Sequence, residues 1–287
     1  MTGVANDNPL ARYAVHTRTN KAWSLEECCQ RYAEAGFGGV GVWREVVEPV
    51  GGETAGRMVR EAGLRAPSLV RGGFFVSPTQ ANRDKAIQEN LKCVDEAAAV
   101  GAEQIVLVVG ADPKVPLVDA RKQVFEGLSA CVDHAAASGV KLAIEPLHPM
   151  YAGDKSCVNR MREARLLCEA IGHAIVGIAM DVYHVWWDPD LDEEVRLAGE
   201  GGRLFGYHIC DWMTPTTDML NDRGAPGEGC IDLPGITRAV LNAGFDGLIE
   251  IEVFSSRHWN EDPSAYLQTL CRSAQQLSAA VTGLAPA

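Results

Sequence analysis

Seven times along the chain a helix-like stretch closes at or near a glycine and a short, unbroken apolar run follows. Ser24-Leu-Glu-Glu27 reads as a capping box that opens a helix ending at Gly36, and Val40-Gly-Val-Trp43 comes straight after. The same order recurs for helices near 55–62, 80–100, 121–138, 159–171, 191–198 and 233–242. The runs that follow them are 66–70, 104–109, 141–145, 176–180, 204–208 and 247–252. Glycine after a helix is the usual left-handed cap, and continuous apolar strands separated by helices are the mark of parallel strands covered on both faces. With Tyr13-Ala-Val-His-Thr17 as a first strand there are eight strands, and each connection is long enough for a right-handed crossover. Eight units use the whole chain and no second composition zone appears, which favours a closed (β/α)8 TIM barrel over an open doubly wound sheet. The expected arrangement is a single barrel domain over 1–287 with flexible ends at 1–11 and 279–287.

No GxGxxG or GxxxxGK[ST] loop opens a helix, so no nucleotide cofactor is expected. A formal charge of −12 disfavours an electrostatic grip on nucleic acid or anionic lipid. The nine cysteines are dispersed, without CxxC, and suit small reduced side chains. The first nine residues lack a basic region followed by an apolar core, and no apolar segment reaches bilayer length. A cytoplasmic location is the expectation.

A barrel gathers the C-terminal ends of its strands around one mouth, where such folds place their chemistry. Four runs end in residues that are expensive to bury: Ala-Ile-Glu145, Ala-Met-Asp181, Gly-Tyr-His208 and Ile-Glu-Ile-Glu252. A shared divalent cation would neutralise them, so Glu145, Asp181, His208 and Glu252 are the expected metal ligands. Three carboxylates with one imidazole suit manganese or magnesium, with cobalt and zinc left open. Paired arginines or helix termini are the plain alternative for each acid alone. Glu250 points to the same face as Glu252 by period two but lies deeper, which makes it a candidate buried ion-pair partner.

His184, just past Asp181, is expected in the loop beyond its strand, within reach of substrate. His148 and His16 are weaker candidates. Trp43, Trp186, Trp187, Trp212 and Trp259 all follow strand endings, and indoles at such a mouth can pack on the C–H face of a sugar. The turn-rich Asn221-Asp-Arg-Gly-Ala-Pro-Gly-Glu-Gly229 offers Arg223 to a substrate oxygen; a salt bridge to Asp222 or Glu228 is the plain alternative.

Glu145-Pro, Asp181-Val-Tyr-His184, His208-Ile-Cys-Asp211, Asp222-Arg-Gly-Ala-Pro-Gly-Glu-Gly229 and Glu252-Val-Phe254, in this order, resemble the xylose isomerase-like TIM barrel family of sugar isomerases and epimerases. The likeness is greatest to its keto-sugar 3-epimerases and its inosose isomerases and dehydratases. The resemblance implies one divalent ion held by Glu145, Asp181, His208 and Glu252, with His184 and Arg223 on the substrate; Trp43, Trp186, Trp212 and His148 are the further substrate-binding candidates. It also implies proton transfer by Glu145 and Glu252 beside a ketone, through an enediolate, in a ketose or cyclic keto-polyol.

If a β-substituent departs instead, the same site gives a dehydratase or a keto-glycoside lyase. A noncatalytic sugar-binding barrel is the reading from a different class. Cleavage of DNA at apurinic sites, found in this superfamily with three zinc ions, is disfavoured because His16 alone does not rebuild the extra ligand cluster. The expected partners are a small keto-sugar, polyol or keto-glycoside and further copies of the chain as a homo-oligomer, with an accessory subunit as an option.

Overall fold

The computed structural model describes residues 8–283. Among them, eight parallel strands close into a barrel. They are β1 (Tyr13–His16), β2 (Gly39–Trp43), β3 (Ala66–Gly73), β4 (Ala102–Val108), β5 (Lys141–Ile144), β6 (Val176–Asp181), β7 (Leu204–Ile209) and β8 (Ile249–Ile251). Each strand pairs with its sequence neighbours, and β1 closes the ring against β8 through Tyr13 and Ile249. The outer layer consists of α1 (Leu25–Ala35), α2 (Gly52–Glu61), α3 (Gln80–Val100), α4 (Leu117–Ser138), α5 (Met161–Ile171), α6 (Leu191–Glu200), α7 (Leu233–Asn242) and α8 (Pro263–Thr282).

Local chemistry sets these boundaries. At α1 the capping box forms as expected, with Ser24 Oγ accepting from the Glu27 N–H and Glu27 returning to the Ser24 N–H. The helix stops at Gly36, whose φ of 91° a side-chain-bearing residue adopts only under strain. Helix α4 begins at Leu117, four residues before the start expected at 121, directly after Pro116, which holds the N-cap position with φ −53° and ψ 140° and makes no side-chain cap hydrogen bond. Helix α8 persists to Thr282, past Ser278 where fraying was expected. Residues 1–7 and 284–287, the outer parts of the expected flexible ends, lie outside the described residues.

The barrel interior is narrow. Val70, Val106, Ala143 and Ala179 fill it, with Trp43 and Phe205 packed against them. The larger core lies between strands and helices and includes Tyr32, Leu69, Ile105, Leu128 and Leu142, each at most 1% exposed. Above the small interior residues the strand register brings polar groups abreast. Asp181 of β6 pairs with His208 of β7, which pairs with Glu250 of β8. No described helix is long and apolar enough to cross a membrane.

Candidate active site

The row Asp181, His208, Glu250 continues upward into Glu145, one residue past β5, and Glu252, one past β8. All are buried: Glu145 is 6% exposed, Glu252 3%, Glu250 1%, and Asp181 and His208 0%. One ligand atom each from Glu145, Asp181, His208 and Glu252 lie within 4.8 Å of one another. Coordination bonds of about 2.0–2.2 Å leave neighbouring ligand atoms about 3–4 Å apart, so the cluster has the dimensions of a cation site.

His208 sharpens that test. Its Nδ1 lies 3.6 Å from Glu145 Oε1 and its Nε2 lies 3.5 Å from Glu250 Oε1, yet neither nitrogen makes a hydrogen bond. A fully buried imidazole with two orphaned nitrogens is costly. Nδ1 facing a cation, with Nε2–H facing a carboxylate, resolves both, and three carboxylates with one imidazole suit a divalent ion.

A second polar layer lies beneath. Glu250 accepts from His16 Nε2 at 3.0 Å and from Ser68 Oγ, and His16 Nδ1 lies 2.9 Å from Glu252 Oε1. Burial opposes charge on His16, but Glu252 and Glu250 on either side outweigh it and raise its pKa. Trp43 Nε1 donates to His16 Nδ1 at 3.2 Å, on the edge of the ring that faces Glu252. Gly41 opposite makes room for this ring: a Cβ there would stand 2.3 Å from His16 Cδ2. The deeper place expected for Glu250 is the one observed, with histidines as its partners.

Burial pushes the Asp181 carboxyl up to about 6, with Arg223 pulling it down and Glu252 and Glu145 pushing it further up. For Glu252 burial also acts upward, but His16 and Arg223 overcome it and hold the group well below its ordinary value. Arg223 Nη1 donates to Asp181 Oδ2 at 2.9 Å and Glu252 Oε2 at 3.2 Å. Its guanidinium lies 4.3 Å from the Tyr183 ring centre and 4.8 Å from that of Phe254. The alternative partners Asp222 and Glu228 are engaged elsewhere, Asp222 with the Thr217 N–H and Glu228 with His258 and Arg257.

His184 is not in a loop. Asp181 Oδ1 accepts from the Tyr183 N–H at 2.9 Å and caps a one-turn helix, Val182–Val185, that carries His184. This turns Nε2 toward Arg223 Nη2, 3.5 Å away, and toward Asp181 Oδ2 at 3.7 Å. Burial, reinforced by Arg223, keeps the ring neutral, with its pKa well below the ordinary value.

A cavity of about 140 Å³ opens over this cluster, and Glu145, Glu252, His184, Arg223 and Trp43 reach its wall. Trp186, Trp212 and His148 do not line it. They form an aromatic pile beside it, with Trp212 stacked 4.7 Å from Tyr183 and 5.3 Å from His148, and Trp186 5.7 Å from Trp212. Trp187 donates to the His184 carbonyl and Trp259 to that of Arg18. Arg18, Arg71, Tyr151 and Lys155 also line the cavity without having been singled out in the sequence. Arg71 directly follows the expected third strand, so the strand-end rule contained its signal; Lys155 sits in an irregular segment that offered none. A wider depression of about 390 Å³ on the outer helices, bordered by Arg83, Lys122 and Glu126, gathers no comparable ligand set.

A crystallised protein of Sinorhizobium meliloti 1021 is 43% identical to this chain and superposes with a TM-score of 0.89 over 92% of this chain and 98% of that one. The inosose isomerase of Bacillus subtilis (strain 168) is 25% identical over 200 residues, 68% of this chain and 70% of its own. The crystal structure of the IOLI protein with a bound zinc atom has the same fold, at 19% identity and a TM-score of 0.79 over 96% and 99% of the two chains. Such likeness marks the chain as an enzyme. Residues 29–274 match the family described as xylose isomerase-like TIM barrel, and the chain belongs to that family.

Proposed function

We propose that the chain is a metal-dependent sugar isomerase or epimerase acting on a ketose or cyclic keto-polyol. The observation that carries this reading is the position of Glu145 and Glu252, two carboxylates of one ion-sized cluster that both reach the same cavity. Glu145, Asp181, His208 and Glu252 would hold the ion. Three oxygen donors favour manganese or magnesium, and the zinc in the related IOLI structure makes zinc the competitor to test. Such an ion, when bound, supplies Lewis acidity toward a carbonyl and its neighbouring hydroxyl.

The side chains supply the rest. Glu252 is kept ionised by His16 and Arg223, the protonation state a base needs, while the same two contacts lower its basicity. Glu145 is the second proton carrier, and substrate stereochemistry sets which of the two acts first. Removal of the proton α to the carbonyl leaves an enediolate. Return of a proton to the opposite face of that carbon gives epimerisation; return to the neighbouring carbon, with a hydroxyl proton moving to the old carbonyl, gives isomerisation. His184 and Arg223 present N–H groups to substrate oxygens, and Trp43 closes the apolar side of the cavity.

The test is incubation of the metal-loaded protein with inososes and ketoses in deuterium oxide, followed by NMR. Solvent deuterium at the carbon beside the ketone, lost in Glu145→Gln and Glu252→Gln, is the expected result. Release of water or an aglycone in the same tube would redirect the reading to a lyase, and binding without exchange in any candidate would make the barrel a carrier.

A further inference from the structure

We infer that the substrate carries an anionic group, a phosphate ester or a carboxylate, seated by Arg71 and Lys155 at the rim of the cavity. This rests on the isomerase or epimerase reading for the identity of the remainder, a keto-sugar. The chain is strongly acidic, at −12 formal charge, yet the cavity wall carries Arg18, Arg71, Lys155 and Arg223 against two acids, Glu145 and Glu252. Arg18 is taken by Glu45, and Arg223 by Asp181 and Glu252. With a divalent ion in place, its two charges and that of Arg223 balance the three ligand carboxylates, so the layer around the ion is neutral.

Arg71 and Lys155 are then the charges left over. Among the described residues, neither has a carboxylate partner within ion-pair distance. Each is propped on aromatic faces instead, the Arg71 guanidinium 5.1 Å from the Phe74 centre and 5.8 Å from that of Trp43, and the Lys155 ammonium 4.2 Å from the Tyr151 centre. Such contacts orient a cation while leaving its N–H donors free. Asp218 feels the Lys155 charge, but it lies outside the cavity wall and is committed to the Leu220 and Asn221 N–H groups. Two unneutralised cations at the mouth, above that neutral layer and in an acidic protein, complement a ligand anion. Phosphate and carboxylate share the chemistry that the rim reads.

The experiment compares D-fructose, D-fructose 6-phosphate and 5-keto-D-gluconate as ligands of the metal-loaded protein, by calorimetry and by quenching of tryptophan fluorescence. One of the two anions is expected to bind about tenfold or more tightly than D-fructose, given two charge-assisted contacts at a partly exposed rim. That preference is expected to collapse in the Arg71→Met, Lys155→Met double variant, with metal affinity and thermal midpoint retained. Which anion gains separates a sugar phosphate from a sugar acid. Equal affinities, no binding of any of the three, or a preference that survives the double variant would overturn the inference. Anion preference without solvent exchange would leave it standing and remove the isomerase reading. Exchange that proceeds equally on D-fructose and both anions would do the reverse.

Discussion

Replacing Glu250 by glutamine isolates the layer beneath the proposed ion. The carboxylate faces His16 Nε2 at 3.0 Å, Ser68 Oγ, and His208 Nε2 at 3.5 Å. Burial pushes Glu250 up, but His208 and His16 outweigh it and hold the carboxyl down at about 2, so the group is charged throughout the working range. Glutamine offers one acceptor oxygen to two imidazoles and turns an N–H₂ toward the other, leaving one buried N–H donor unmatched at a cost of about 1–3 kcal/mol. The same change frees the His208 ring to rotate. Loss of an orienting carboxylate behind a ligating histidine lowers metal affinity by roughly 10–100-fold, or about 1.4–2.8 kcal/mol. An opposing effect exists, because removing Glu250 also lowers the pKa of His208 and weakens proton competition. Titration against a chelator at about pH 8.5 minimises that competition and exposes the orientation loss. Ser68→Ala keeps the charge and is expected to lose about threefold at most, as one hydrogen bond of modest net worth disappears. A Glu250→Gln protein that unfolds at the wild-type midpoint and binds manganese and zinc within twofold of wild type would refute the reasoning.

Gly41→Ala would place a methyl 2.3 Å from His16 Cδ2 and 2.6 Å from Nε2. The expected cost is about 1–3 kcal/mol in urea denaturation, with weaker metal binding as His16 is pushed off Glu252. Metal affinity should rise with pH. Binding needs an ionised Asp181, which burial raises to about 6, and a neutral His208, whose pKa the surrounding glutamates raise against burial. The rise should be steeper below about pH 6, where Asp181 as well as His208 must give up a proton, than above it. An affinity unchanged between pH 6 and 8 would contradict this. Glu228 is pushed up by burial but held down at about 2 by His258, the Ala225 N–H and Arg257, from an ordinary value of 4.5. A depressed carboxyl stabilises above its unfolded value and loses that contribution as pH falls through the folded one. Glu228→Gln should therefore cost about 1–2 kcal/mol at neutral pH, discounted for a side chain 27% exposed, and the gap to wild type should close as pH 2 is approached.

How much of this was legible in the chain follows from where the information resides. Barrel closure was readable because helix, glycine and apolar run is a local pattern repeated along the sequence, and each repeat tightens the inference from the others. Element ends were less readable: the helix start just after Pro116 and the Asp181-capped turn under His184 depend on backbone geometry that hydropathy does not encode. Glu145, Asp181, His208 and Glu252 were visible because a charged residue at the end of an apolar strand is expensive, and expense is a sequence-level signal. The tryptophans show the limit of that rule. An indole is far cheaper to bury than a carboxylate, so its place after a strand could not separate Trp43 on the cavity wall from Trp186 and Trp212 in the pile beside it.

His16 marks the same boundary from the other side. It closes the first strand and so met the rule, but standing alone it ranked only as a weaker candidate; its weight comes from Glu250 and Glu252, more than 230 positions away in sequence. Strand closure between β1 and β8 is what makes them neighbours, with Ala14 paired to Glu250 in the register. One proposed ligand, Glu252, and the acid beneath it, Glu250, are thus held by contacts across the seam of the barrel. Any perturbation that loosens β1 against β8 should therefore weaken metal binding before it unfolds the outer helices. Amide exchange should record that order, with Val15 and Ile251 protecting late only when the ion is bound. Equal protection of the seam with and without metal would sever the proposed link between barrel closure and the site.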